Sequence, residues 1–300
     1  MAVGGVITTN GKNVMLNRTY KSSPDYTTPS VFSLGIGLTT PVAADTAVEI
    51  RVPIEDGTTN DDGSNTLTGS SGGANSTNNT TTFKQGGGNS DVTAQNLIAN
   101  DTNVNKIWTI ADLSSAGTNM TAAEPMAYWL YIKDATALAK IVSVTVRLGS
   151  DASNYHYQTT LVANLAVGWN WITSETTNVE DLTETGTVAG NIDTFVLVIV
   201  TNNATDTFVA GDVVYDLLRQ WAAADLIKIF SSGYPTFDEV NQVVTIRAHL
   251  TSIQANGFDL SEFAVLNTDG TPKLTSHDVI TAESKSDTDE FIFIIEDELI

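Results

Sequence analysis

The stretch Ile141–Gly149, IVSVTVRLG, sets Val144, Val146 and Leu148 on one side and Ser143, Thr145 and Arg147 on the other. That two-residue period is the mark of a half-buried β-strand. Working outward, the same grammar recurs on both sides. VNKIWTI and MAYWLYI precede it, and YHYQTTL, GWNWITS, TFVLVIVT and DVVYDLLRQW follow, each separated by turn residues. Short strands at regular spacing with turn signals between them predict a β-sandwich or barrel. TFVLVIVT is apolar without interruption, as a central strand covered on both faces would be.

Composition supports a β-rich chain. Of 300 residues, 41% are hydrophobic and only 16% charged. Thr, Asn, Ser and Gly supply the remaining polarity, and these residues favour strands, turns and loops over helices. The net charge of −21 argues against nucleic acid as a partner, because phosphate binding needs clustered Lys and Arg. The absence of cysteine removes disulfide scaffolds, thiolate zinc sites and thiol nucleophiles. No stretch approaches the ~20 apolar residues of a membrane-spanning helix, and the opening MAVGGVITTNGKNVML lacks a basic region followed by an apolar run. The expectation is a protein made in a cytoplasm, with no membrane insertion, that an assembled particle can carry outside.

Outside the β-dense centre the organisation changes. Residues 1–30 are polar and weakly periodic, with Pro24 and Pro29 as breakers, and predict an extended N-terminal arm. Residues 31–34 and 46–52 predict strands joined through FSLGIGLTTPVAADTA, residues 32–47. From 57 to 90 the chain is rich in Gly, Ser, Thr and Asn, which predicts a flexible linker or loop. QVVTIRAHL and DEFIFIIEDEL predict alternating strands, and a strand–turn–strand is expected around Asp269 and Gly270. Only AAADLIKIF has helical character, over a length suited to a connector.

Two resemblances attach to these segments. FSLGIGLTTPVAADTAVE and ANGFDLSEFAVLNTDGTPKL resemble paired segments of tailed-bacteriophage tail, neck and fibre-associated structural proteins, with Val48 where Leu is more usual. In such proteins the two segments share one compact β domain. The central VTVRLGSDASNYHYQTTL, GWNWITS, TFVLVIVT and VVYDLLRQW are similar to a carbohydrate-binding-module-type jelly roll. Together the resemblances imply an all-β chain in which a discontinuous, β-sandwich-like host domain, residues 31–56 and 223–300, carries an inserted jelly roll, residues 91–222. Insertion at an exposed loop is the tolerated route to this arrangement. The implied function is a non-enzymatic virion structural protein. Its partners would be copies of itself and other virion proteins, its location the virion, as a decoration, neck or tail component. The alternative is an adhesin module that contacts host surface glycans.

Candidate sites follow from the same reading. The histidines 156, 249 and 277 fall in separate segments, and no convergent metal or triad pattern joins them. Carboxylate pairs are abundant among 35 acidic residues and select no hydrolase site. Asn154, Tyr155 and Tyr157, beside the GSDASN loop, are the candidate glycan contacts, since sugar rings stack on aromatic faces and Asn bonds hydroxyls. The tryptophans, embedded in apolar strands, are expected in the core. His156 is expected on the sheet face opposite Tyr155 and Tyr157. No cofactor is expected beyond a structural calcium ion, for which the jelly-roll resemblance implies Asp212 and Asp216.

Overall fold

The computed structural model describes residues 5–49, 51–54, 59–61, 65–70, 73–84, 92–111, 113, 126–151, 153–173, 183–188, 192–220, 226–286 and 288–298. In chain order, β1 (Val6–Ile7) precedes helix α1 (Thr9–Tyr20) and β2 (Val31–Gly35). Next come β3 (Thr59–Asp61), β4 (Thr68–Gly69), β5 (Thr77–Asn79), β6 (Ala94–Asn96), β7 (Asn105–Ile110) and β8 (Met126–Ile132). Helix α2 (Ala135–Lys140) leads to β9 (Ile141–Gly149), β10 (Tyr155–Leu161), β11 (Gly168–Thr173), β12 (Thr183–Thr185), β13 (Thr194–Thr201) and β14 (Val213–Gln220). The remaining strands are β15 (Lys228–Ile229), β16 (Thr236–Asp238), β17 (Val243–Leu250), β18 (Asp259–Leu266), β19 (Leu274–Ser284) and β20 (Phe291–Glu298). The fold is all-β and sandwich-like, and every strand pairing among the described residues is antiparallel.

The chain divides into two compact units. One comprises Met1–Asp56, Gly86–Gly88 and Ala223–Ile300, the other Gly57–Gln85 and Asn89–Ala222. In the second, two sheets run β12-β10-β9-β13-β7-β4 and β11-β8-β14-β6-β5, with β3 added beside β14. The eight strands β6, β7, β8, β9, β10, β11, β13 and β14 thus enter the sheets as 6-14-8-11 and 7-13-9-10, the strand order of a jelly roll. Its core gathers the inward residues of both sheets, among them Trp108, Tyr128, Leu130, Val144, Val146, Phe195, Leu197 and Tyr215. The buried Lys106 amino group donates to the Asp101 carboxylate at 3.0 Å and to the Ala204 carbonyl at 3.2 Å.

Residues 57–90 depart from the linker reading where they are described. β3 and β4 extend the two sheets and β5 borders β6, although TND, TG and TNN offer no large apolar side chain. Leu67, just before β4, is the one large apolar side chain that the described part of this segment puts in the core, and around β5 polar contacts take over. Ser76 Oγ donates to Gln95 Oε1 at 2.6 Å and Asn79 Nδ2 to Asn96 Oδ1 at 2.8 Å, all four residues being buried. Buried side-chain amides satisfied in this way hold a strand without apolar burial.

The first unit is built on a five-stranded sheet, β1-β19-β18-β2-β15, and a three-stranded one, β16-β17-β20. One face of the larger sheet carries Phe32, Leu34 and Phe263, and Phe263 stacks on Phe32 and meets Phe293 of β20 with ring centroids 5.6 Å apart in both pairs. The other face carries Val31, Ala264, Leu266 and Leu274, which pack with Val48. Cover on both faces explains why all five residues of β2 are buried. Both flanks of the long intervening segment return to β2, since Arg51 bridges Gly35 and Lys228 pairs with Phe32.

Three expectations change in this unit. The described part of residues 1–30 is not an extended arm. β1 pairs with β19, and α1 lies against β19 with Val14 buried. The helix starts because Thr8 Oγ1 accepts from Gly11 N at 3.0 Å, and it is tied down by Thr8 N to Thr275 O and Thr9 N to Ala43 O. Its sequence, TNGKNVMLNRTY, has little intrinsic helix propensity, so tertiary docking decides. The described part of residues 46–52, expected as a strand, contributes only the bridge at Arg51, because Glu49 N donates to the buried Glu262 carboxylate instead. Of the expected connector AAADLIKIF, residues 222–225 lie outside the described ones, and Lys228–Ile229 is a strand.

Candidate functional site

In the first unit a polar network is buried under the loop that follows β2. Glu262 on β18 is fully buried, and its carboxylate accepts from Gly37 N at 2.9 Å and from Glu49 N at 2.8 Å. His277 on β19 stands between two carboxylates, with Nε2 3.1 Å from Glu262 and Nδ1 2.8 Å from Asp45. Glu49 in turn accepts from Leu38 N, Thr39 N and Thr39 Oγ1, while Ser261 Oγ donates to Gly37 O. An imidazole facing carboxylates through both nitrogens is best served by carrying both protons. Burial pushes His277 toward its neutral form, but the hydrogen bonds to Glu262 and Asp45 and the two negative charges prevail and raise its pKa. Neither ring nitrogen is left to deprotonate a nucleophile. The network is a clamp holding residues 36–49 across the sheet, and Gly37 is its tight point. A Cβ there would lie 2.6 Å from Glu49 Cβ and 2.7 Å from the Glu262 carboxyl carbon.

In the jelly roll the distinctive surface is the outer face of β8 and β11. Met126, Tyr128, Leu130 and Ile132 face the core, so Trp129 and Tyr131 face outward. Register places Trp171 opposite Trp129 and Trp169 opposite Tyr131. The rings pack as a group: Trp129 to Trp171 at 5.0 Å, Tyr131 to Trp169 at 5.3 Å, and Trp129 edge-on to Trp169 at 6.3 Å. Lys84 Nζ sits 4.3 Å from the centre of the Trp129 ring, which is only 4% exposed.

β14 brings charge to the same face. Asp216 pairs with Trp129 and Arg219 with Ala127, so three steps on β14 match two on β8. The extra residue is a β-bulge, and Leu217 beside it adopts φ +49°, a left-handed conformation uncommon for a branched side chain. Without the bulge, residues three apart would point to opposite faces. With it, Asp216 and Arg219 both take outward positions, while Tyr215 and Leu218 remain in the core. Asp216 Oδ2 also accepts from Lys84 N at 2.6 Å. Asp216, Arg219 and Trp129 are themselves buried, with the segment at Lys84 lying over them, so Tyr131, Trp169 and Trp171, each half-buried, are the rings of this face that retain exposure for stacking on a polyhydroxylated ring.

The residues expected from sequence fall elsewhere. Tyr155 and Tyr157 share the outer face of β10 with rings 6.0 Å apart, His156 is buried on the opposite face, and Arg147 lies 5.0 Å from the Tyr155 ring. Asn154 spends its amide on Asp151 and accepts from Thr187 N, which makes it a loop tie. Asp212 accepts from Lys133 Nζ at 3.2 Å and Val209 N at 3.1 Å, and Asp216 belongs to the aromatic face. Among the described residues no group of three or more His, Asp or Glu is arranged to hold a metal ion. Burial holds as expected for Trp108 and for Trp129, the latter on the outer side of its sheet, but is corrected for Trp169 and Trp171, which are half-buried; Trp221 lies outside the described residues. MAYWLYI is apolar at every position, so alternation alone cannot choose which set faces inward. No described helix is long and apolar enough to cross a membrane. Compared with known proteins, the chain matches no family model, no curated protein and no solved structure.

Proposed function

We propose that the chain is a non-enzymatic structural protein of a tailed-phage virion, in which the first unit docks on the particle and the jelly roll is displayed. The observation that carries this reading is the union of the two segments that resemble phage tail and neck proteins. Residues 32–47 and 255–274, far apart in sequence, meet as neighbouring strands β2 and β18. Glu262 of the second segment holds the backbone at Gly37 in the first, and Ser261 holds the same residue from its carbonyl. The side chains specific to these segments are therefore spent on maintaining one rigid body, as an assembly module requires, with both nitrogens of its buried histidine occupied. Its partners are further copies of the chain and neighbouring virion proteins.

The test is immunogold labelling of gradient-purified particles with antibodies against the full chain, alongside peptide mapping of the same particles. Labelling at a fixed position, with the protein co-sedimenting, is expected. A chain that stays wholly in the soluble lysate while particles form without it overturns the reading.

A second reading, host-glycan contact by the displayed jelly roll, is favoured by the half-buried rings of Tyr131, Trp169 and Trp171 on the outer face of β8 and β11, next to the bulge at Leu217. Local strain kept beside an aromatic surface is what a ligand site tends to hold. A glycan array probed with the full-length protein, and with Trp169→Ala beside it, separates the readings. Binding that the variant loses supports glycan contact; an empty array leaves display alone.

A further inference from the structure

We infer that the free edge of β20 in the first unit is a docking edge for an extended, basic strand of a different protein, added to the sheet by main-chain pairing. This rests on the assembly reading above and names the chemistry of the partner. β20 is eight residues long and pairs with β17 along one edge; no other described strand pairs with it. Its second edge opens onto a groove of about 930 Å³ whose opposite wall is β1 and β19. An unpaired strand edge beside apolar side chains is a template for a further strand.

The groove can hold the alternate side chains of such a strand. Val6 and Ile7 of β1 and Ile280 of β19 line one wall, and Phe291, Phe293 and Ile295 of β20 the other. The three β20 residues remain half exposed although they point toward the larger sheet, and Ile7 is 45% exposed. On the opposite side of β20, Ile292 and Ile294 are 50% and 63% exposed, so that face too lacks cover among the described residues. A strand laid along β20 would bury one apolar row on the groove wall and pair the N–H and C=O groups of the alternate β20 residues that face away from β17, at about 4.8 Å between strands.

Charge decides which strand. The ionisable residues of the groove lining are Asp278, Glu283, Glu290 and Glu296, together with His277, whose charge is already shared by Asp45 and Glu262. Lys and Arg are absent from it. A second copy offering its own β20 would set Glu290 near Glu296 in an antiparallel pair, like charge against like, which opposes pairing. The chain at large is a poor donor as well, with 14 basic against 35 acidic residues. A strand alternating apolar residues with Lys or Arg meets both requirements: apolar positions toward the groove, cations at the rim.

The probe is a fluorescent, end-blocked nine-residue peptide alternating valine with lysine, titrated into the full-length protein by anisotropy and by hydrogen exchange. Saturable binding is expected, with slowed amide exchange confined to residues 291–298 and the groove strands. The double variant Glu283→Lys with Glu296→Lys, both at exposed positions, should weaken binding by about tenfold or more. Its exchange elsewhere reports whether it is folded. Equal binding of a peptide with the same residues in two blocks, valines then lysines, would mean mere attraction to an acidic surface and overturn the inference. So would absence of binding, or protection of residues 291–298 that rises with protein concentration alone, which would make a second copy the occupant. If the peptide fails while the protein is found on particles, the docking edge falls and the assembly reading stands.

Discussion

Replacing Glu262 by Gln tests the clamp with the smallest change of shape. The carboxylate, itself fully buried, accepts two backbone N–H groups, from Gly37 and Glu49, and faces the buried His277, whose pKa its charge helps to raise. A glutamine keeps one acceptor oxygen and must point its NH₂ at one of these donors. It also leaves the imidazolium with Asp45 alone. Hydrogen bonds to charged groups contribute ~1.5–3 kcal/mol each, and breaking a buried pair costs ~3–5 kcal/mol, so a loss of about 3 kcal/mol is expected once His277 relieves itself by losing a proton. The assay is amide hydrogen exchange of the intact protein near pH 6, read in peptides covering β2 and β18. A loss of 3 kcal/mol speeds exchange through opening by roughly 150-fold. Peptides from β13, in the jelly roll, contain none of the clamp residues and should be unchanged. Every described tryptophan also lies in that second unit, so the denaturant midpoint followed by tryptophan emission should stay in place. An acceleration below about tenfold in β18, or equal acceleration in both units, would refute the assignment of Glu262 as the tie between loop and sheet.

Other outcomes follow from the same contacts. Because the folded state raises the pKa of His277, its contribution is complete below the unfolded value of about 6.5 and fades as pH rises through the folded value. The exchange difference between wild type and His277→Asn should therefore be largest at mildly acidic pH and shrink toward alkaline pH; a difference that grows with pH would reverse the assignment. Gly11→Ala would bring a Cβ to 2.9 Å from the carbonyl carbon of Thr275, so α1 should lift from β19 at a cost of about 2 kcal/mol, seen as faster exchange in residues 9–20 and 274–277. In the jelly roll, Lys106→Met leaves the Asp101 carboxylate without its buried cation. It should lower stability by ~3 kcal/mol in urea melts followed by tryptophan emission, with β18 exchange unaffected.

The strands with clean alternation or continuous apolar character were legible: β9, β13, β17, β18 and β20 need only a two-residue period or cover on both faces. So was the change of composition near residue 57, whereas the boundary near 223 came only with the resemblances. Three things were hidden. α1 has no apolar stripe and depends on Thr8 and the carbonyl of Thr275, contacts made some 267 residues away. β5 and its neighbour Ser76 are held by buried amides and hydroxyls, whose pairing a sequence does not display, and beside β4 the single Leu67 reaches the core. The outer aromatic face was missed because β8 is apolar on both sides and because the bulge at Leu217 shifts Asp216 and Arg219 by one position. A signal for the clamp was present, since Glu262 is the one charged residue inside the apolar run LSEFAVL. A carboxylate in a strand covered on both faces must find donors, and here they come from the loop at Gly37 and Glu49.

The two flanks that return to β2 have a consequence for how the chain is made. During synthesis β2 emerges long before β18, and the contact between Gly37 and Glu262 closes a loop of 225 residues. An open coil of that length makes closure slow and leaves β2 exposed meanwhile. The second unit supplies a remedy of its own, because its first described strand, β3, pairs with its last, β14. Once it folds, its two ends are held side by side and the loop that the first unit must close becomes short. Ribosomal order therefore favours the jelly roll folding first, as an internal chaperone that presents the C-terminal strands to a waiting β2.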